Sequence, residues 1–277
     1  TKMDRGTDVD FGALSELLVE WLGQQDGCGY AMRHRVTDLT RTREGWAVEV
    51  KDIKTGRKFT NHTKFVFIGA GGGSLPLLQK SGIAESKGFG GFPIGGQWLV
   101  CHKPELVKQH EAKVYGMSPG AAPTMAVPHI DTRIIDGKKS LLFGPYAAWT
   151  TKFLHEGGSF WDLPGSIRMD NLASLIKVGL HNIPLVTYLM QQGTQSMTTR
   201  MKELQNFFPD ANAEDWELID AGIRVQAIKK EDGDAGIVHF GTEVLSDQDK
   251  SLSALLGASP GASVSVNLIL EIVQDCF

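Results

Sequence analysis

The stretch from Lys64 to Trp98, KFVFIGAGGGSLPLLQKSGIAESKGFGGFPIGGQW, constrains the fold more than any other. Phe65-Val66-Phe67-Ile68 is a short apolar run of the kind that fills a buried parallel strand. Gly69, Gly71, Gly72 and Gly73 follow at once, and Ser74 and Pro76 suit a helix cap and a first helical turn. A strand, a glycine turn and a helix start together let backbone approach a ligand and offer free N–H groups to an anion. The second half, Phe89 to Gly96, is again rich in glycine but holds Phe92, Pro93 and Ile94. It reads as an ordered crossing between two domains, because a flexible linker is more polar.

At 277 residues the chain is long enough for one large or two modest domains. Hydrophobic content of 42% and charged content of 22% are those of an ordinary globular protein. A formal net charge of −4 and the lack of a basic run argue against nucleic acid as a partner. Cys28, Cys101 and Cys276 are odd in number and far apart, which points to reduced thiols in an intracellular protein. No apolar run approaches the ~20 residues a spanning helix needs, so any membrane contact is expected to be peripheral. No spacing suggests a metal site.

In chain order, Asp10 is positioned to cap a helix carrying Phe11, Leu14, Leu17, Leu18, Trp21 and Leu22 at helical spacing. Strands are expected over Tyr30–Arg43, Trp46–Val50 and near Phe59, then at Phe65. A short helix starts at Pro104, and strands are expected near Lys113–Tyr115, Thr124–His129 and Leu141–Pro145. Helices follow over Asn171–His181, Pro184–Gln192 and Met197–Phe207, and strands return at Glu217–Ile228 and Gly236–Phe240. The loop Gly257-Ala258-Ser259-Pro260-Gly261-Ala262-Ser263 opens a final helix to about Asp275.

Three patterns carry candidate chemistry. Gly69-Ala70-Gly71-Gly72-Gly73-Ser74 almost spells the dinucleotide fingerprint, but the helix after it is short and no acid-ended strand follows at ~20 residues. It is either a ligand-approaching turn or a tight strand–helix turn with no ligand. GASPGAS is either a second such loop at a helix N-terminus or an ordinary start capped by Ser263. VPHIDTR places His129, Asp131 and Arg133 on one face of a strand, either as a polar site or as a surface edge with a salt bridge.

The segments GAGGGSLPLLQKSGI, GFGGFPIGGQWL, VPHIDTR, KKSLLFGPYA, GIRVQAIKK and ALLGASPGAS resemble malate:quinone oxidoreductase, a branch of the D-amino-acid-oxidase-like flavoproteins. The resemblance covers nearly the whole chain but lacks the family's opening dinucleotide-binding unit. It implies a fragment of an α/β and α+β flavoprotein, with an incomplete Rossmann-like FAD-binding domain over 1–90 and 241–277. A mixed-sheet substrate domain over 91–240 is inserted, and the active site is expected between the two. FAD would be the cofactor, malate the substrate and a membrane quinone the electron acceptor, on the inner face of the cell membrane. Gly69, Ala70, Gly71, Gly72, Gly257, Ala258, Ser259, Gly261, Ala262 and Ser263 would border the flavin. A helix start aimed at the N1 side of a reduced flavin would favour reduction.

On that reading His129 is the expected base for the malate hydroxyl, with Asp131 holding its tautomer. Arg224 and Arg133 are the expected carboxylate clamps, with Lys230 and Lys229 as weaker choices. Arg224 pairing with Asp220 is the plain alternative. A related flavin enzyme acting on another 2-hydroxy acid or an amino acid, or a catalytically silent piece, is the rival assignment. The fragment alone is expected to be inactive and to hold FAD weakly or not at all.

Overall fold

A computed structural model describes residues 8–116, 127–231, 234–239, 241–257 and 261–277. The fold is mixed α/β, and the chain divides into two compact units. The first comprises Thr1–Tyr30, Gly96–Ala148 and Thr187–Ala221; the second comprises Ala31–Gly95, Trp149–Val186 and Gly222–Phe277. The chain is thus cut at other points than the division into 1–90 with 241–277 and 91–240. One physical reason is that the glycine-rich crossing is a strand, β5 (Gly90–Cys101), and the boundary falls inside it.

In the second unit, β1 (His34–Thr42), β2 (Gly45–Asp52) and β3 (Lys58–Thr63) form an antiparallel sheet. The β2–β3 turn closes on Asp52, whose carboxylate accepts from the Lys54 and Thr55 N–H groups, with Gly56 at φ 73°. Next come β4 (Val66–Ile68) and helix α2 (Ser74–Ser81), which ends at Gly82 in the left-handed conformation. Helix α2 packs on β1 and on β12 (Leu252–Gly257). Strand β12 lies between β11 (Thr242–Ser246) and β4, antiparallel to the first and parallel to the second. Strand β9 (Glu217–Glu231) pairs with β10 (Asp234–His239), and α5 (Leu172–His181) lies against β10. Helices α4 (Asp162–Ser166) and α8 (Ser265–Cys276) complete this unit.

Trp46, Leu78, Leu252 and Ala254 are central to its core, each buried to 1% exposure or less. Asp247 anchors the β11–β12 turn. Its carboxylate accepts from the Ser251 and Leu252 N–H groups at 2.7 and 2.8 Å and from Arg41 at 2.6 Å. Burial works to raise the pKa of Asp247, but the Leu252 N–H, Arg41 and Ser251 outweigh it and hold the carboxyl below its ordinary range.

In the first unit, β6 (Lys113–Tyr115), β7 (His129–Ile135) and β8 (Lys138–Trp149) run antiparallel in that order. The strand expected over Thr124–His129 begins at His129, and residues 117–126 lie outside the described set. Helix α3 (Pro104–Val107) and helix α7 (Met197–Gln205) contribute to a core of Leu99, Ile130, Leu141, Phe143, Met201, Leu204 and Phe208. Helix α6 (Ile183–Gly193) precedes α7. Helix α1 (Phe11–Gly23) starts where Asp10 caps it, through the Ala13 N–H at 3.1 Å. None of its residues is buried, so its apolar stripe faces outward.

Candidate functional site

Strands β4 and β12 pair in parallel as Leu252–Val66, Ser253–Phe67 and Ala254–Ile68. Two parallel neighbours release their following loops from the same end, so the turn at Gly69 and the loop beginning at Gly257 leave one edge together. In open parallel sheets this C-terminal edge is where ligands are bound.

The first turn is built by sterics. Ala70 N–H donates to Ser74 Oγ at 3.0 Å, Gly73 N–H donates to the Ala70 carbonyl, and Gly71 takes φ 54°. Ser74 therefore is not the helix cap: Gly73 occupies that place, and Ser74 lies wholly buried inside the first turn. A Cβ on Gly72 would overlap the Phe153 carbonyl and approach Val225 Cγ2 to 3.2 Å. At Gly71 a Cβ would point into open space, so the outer side of this turn is accessible backbone.

The second loop begins at Gly257, which takes φ 85° and lies against the Gly241 carbonyl. Ala258 and Ser259 lie outside the described residues. Gly261, Ala262 and Ser263 form a 3-10 turn with Val264, and Gly261 also faces open space. Helix α8 starts at Ser265 behind Val264, with no side-chain cap, so Ser263 is not its cap residue.

Arg224 belongs to the same unit. Its neighbour Val225 is buried against Gly72 and Gly91. Arg224 is exposed and has no hydrogen bond or ion pair among the described residues. Two positions on, Gln226 has no exposure, and neither its Oε1 nor its Nε2 has a partner among the described residues. A buried amide left unpaired is costly, which marks this strand as unusual. A glutamine inside an apolar strand carried no warning in the sequence. The Lys230 side chain is outside the described set; Lys229 lies 5.8 Å from the Phe89 ring.

The polar strand of the first unit is organised differently from the expectation. His129 is buried between Trp98 and Tyr115, with ring centroids 5.2 and 4.6 Å away. Its Nδ1 lies 3.2 Å from the Val127 carbonyl, which can only accept, so Nδ1 carries the proton and Nε2 keeps its lone pair. The tautomer is therefore held by Val127. Asp131 instead meets Lys113 at 3.0 Å and Arg133 at 4.0 Å. Arg133 is committed to Asp8 at 2.7 Å. Burial lowers the pKa of His129, with Lys113 adding to the effect against opposing contributions from Val127 and Asp131.

A second polar cluster in this unit escaped sequence reasoning. Arg200 is 1% exposed; it lies 4.5 Å from the Tyr146 ring and donates to Gln97 Oε1 at 2.8 Å. Gln97 in turn donates to Asp220 at 2.8 Å, so Asp220 is engaged by Gln97. Burial pushes the pKa of Glu203 up, while Gln195 donates to it at 3.0 Å. Nothing in the sequence singles out Arg200 and Glu203 on this helix; packing encloses them.

Comparison with known proteins adds the following. The family profile described as Malate:quinone oxidoreductase (Mqo) matches residues 1–277. A probable malate:quinone oxidoreductase 1 of Pseudomonas putida is 53% identical over 277 residues, covering 100% of this chain and 55% of that protein. A probable malate:quinone oxidoreductase of Flavobacterium johnsoniae is 50% identical over 278 residues, covering 100% of this chain and 56% of its own length. The chain thus spans about half the length of the curated relatives it matches. The solved glycerol-3-phosphate dehydrogenase from Bacillus halodurans, complexed with FAD, is similar in fold. Its TM-score is 0.50 at 14% identity, covering 87% of this chain and 38% of that one.

Proposed function

Because this chain belongs to the malate:quinone oxidoreductase family, we propose that it forms part of an FAD-dependent enzyme that oxidises malate to oxaloacetate and passes the electrons to a membrane quinone. The observation that carries the reading is the parallel pairing of β4 with β12, which brings two glycine loops to one edge of the sheet. The residues there suit a large planar cofactor. Gly71 and Gly261 leave backbone open, and at Gly72 and Gly257 the absence of a Cβ lets the chain turn tightly enough to present it.

Bound FAD would supply the two-electron acceptor for hydride from the hydroxyl-bearing carbon. The chain's own part is binding, orientation and proton handling. Arg224 has no hydrogen bond or ion pair among the described residues, and the two parallel N–H groups of its guanidinium match a carboxylate. Arg133 is the weaker second clamp, since Asp8 already holds it. His129 is the proposed proton acceptor: it is kept neutral by burial, with the proton on Nδ1 and the lone pair on Nε2. Asp131 balances Lys113 and so secures the strand that carries His129.

The test uses a chain of the relatives' length that contains this sequence. Malate-dependent reduction of a water-soluble quinone analogue, with co-purifying flavin, is the expected result. Flavin with activity on another 2-hydroxy acid or an amino acid but none on malate would replace the substrate assignment. No flavin at all would remove the cofactor assignment. The 277-residue chain by itself is expected to bind FAD weakly or not at all.

A further inference from the structure

In the second unit, the end of the β1–β2–β3 sheet borders a cavity of about 500 Å³ lined by Thr42, Arg43, Glu44, His62, Thr63 and Lys64. Strand pairing fixes its walls: Thr42 lies opposite Gly45, and Trp46 lies opposite Thr63. A Cβ on Gly45, which takes φ 138°, would come within 2.2 Å of the Thr63 carbonyl oxygen. The turn that carries Arg43 and Glu44 is thereby pressed against the end of β3 that leads to Lys64. Trp46, buried and held by its Nε1 bond to Ser251 Oγ at 3.0 Å, also borders the cavity. On a chain with a formal net charge of −4, three of the four ionisable groups here are basic. The side chains of Arg43, His62 and Lys64 have no hydrogen bond or ion pair among the described residues. Adjacent cations repel one another, and a bound anion relieves that repulsion.

We propose that this cavity binds the phosphate group of a small, soluble phosphate monoester. Such a group carries ~1.5–2 negative charges at neutral pH and three strong acceptor oxygens. Arg43, His62, Lys64 and the Thr42 hydroxyl supply donors for them, and the guanidinium fork of Arg43 can take two oxygens at once. A carboxylate brings one charge and two oxygens in a plane, so it uses fewer of these donors. Thr63 is not among them, since its hydroxyl already donates to the Phe65 carbonyl at 3.0 Å. The volume falls in the roughly 300–1,000 Å³ range of small-molecule sites, which leaves room for more than the phosphate itself. Glu44 selects the remainder: its carboxylate only accepts, so it repels a second phosphate and takes a hydroxyl. The ligand is therefore a short hydroxylated compound with one phosphate, as in a sugar phosphate. A nucleic-acid strand would need a track of cations. The next one along, Arg41, is held by Asp247 and Asp249.

Calorimetric titration of the 277-residue chain at low salt with ribose 5-phosphate, inorganic phosphate, ribose and malate tests it. Ribose 5-phosphate should bind one to one, inorganic phosphate and malate more weakly, and ribose not at all. Arg43→Gln with Lys64→Gln, both at exposed positions, should weaken ribose 5-phosphate binding at least tenfold, about 1.4 kcal/mol. The circular dichroism of that variant should stay that of the parent, and Lys64→Gln alone should give part of the loss. Lys54→Gln with Arg57→Gln removes the same charge at the β2–β3 turn and should leave binding unchanged. Glu44→Gln should narrow the preference for ribose 5-phosphate over inorganic phosphate. Absence of ribose 5-phosphate binding, malate binding as tightly, or equal loss in the two double variants would overturn the proposal. So would binding that disappears in a chain of the relatives' length, which would mean that another segment fills the cavity. The titration reads neither flavin nor malate oxidation, so its failure is separate from failure of the enzymatic reading.

Discussion

Replacing Gly72 by alanine tests the central geometry. An added Cβ would lie 1.9 Å from the Phe153 carbonyl oxygen and 2.7 Å from its carbon, where ordinary contact is 3.4–4 Å. The obstacle is backbone, and it cannot rotate aside as a side chain would. Relief requires the glycine turn or the Phe153 segment to move by the better part of an ångström, against a core containing Leu75 and Val225. Overpacking of this kind costs about 1–3 kcal/mol when side chains can yield, and backbone obstruction puts the expected loss at or above the upper end. The neighbours calibrate the result. Gly71→Ala meets nothing within 4 Å but must hold φ 54°, costing about 1–2 kcal/mol. Gly73→Ala has helical φ −76° and its nearest contact at 3.6 Å, so it should be close to neutral. Urea denaturation of the three variants should give the order Gly72, Gly71, Gly73 from most to least damaging. Gly72→Ala as mild as Gly73→Ala would refute the close approach, and with it the shape assigned to the cofactor edge.

Three further outcomes are expected. Asp247→Asn should cost about 1.5–3 kcal/mol at neutral pH, because Asn places an N–H toward Arg41 where a carboxylate stood. Since the Asp247 pKa is lowered on folding, its contribution is present above the ordinary carboxylate range and lost as pH falls through the folded value. The gap between the two proteins should therefore close below about pH 4, as denaturation midpoints measured across pH will show. His129 behaves with the same sign in another window. Its lowered pKa makes the folded state bind its proton less readily, so stability should fall as pH drops from about 7 toward 5, and His129→Asn should remove that slope. In a chain of the relatives' length, Arg224→Ala should lower kcat/KM for malate by about tenfold or more, with Arg224→Lys only partly restoring it. Unchanged kinetics would take Arg224 out of the site.

Much of the fold was legible. Asp10 caps its helix, Pro76 lies in the first turn of α2, and the glycine run after Ile68 turns as its composition requires. These features depend on neighbours a few residues away, and the sequence contains those neighbours. Strand β12 was not anticipated. Leu252–Gly257 is too short and evenly apolar for periodicity to identify, and it becomes a strand because β4 and β11 lie on either side. The same limit applies to Phe89–Gly96, whose glycines read as a crossing while inter-strand hydrogen bonds make residues 90–96 part of β5.

By itself, then, the sequence determined which segments turn, which start helices and which residue types could meet a flavin and a dicarboxylate. Tertiary structure decided which of those residues are free to act. Arg224 has no ion pair among the described residues while Arg133 is taken by Asp8, and the His129 proton is set by Val127 although Asp131 is two residues away. The stripe of α1 is apolar in the sequence, but only the fold shows that none of its residues is buried among the described residues. The physical reason is that burial and charge pairing belong to groups brought together from distant parts of the chain, and local pattern fixes a face without naming what will lie against it.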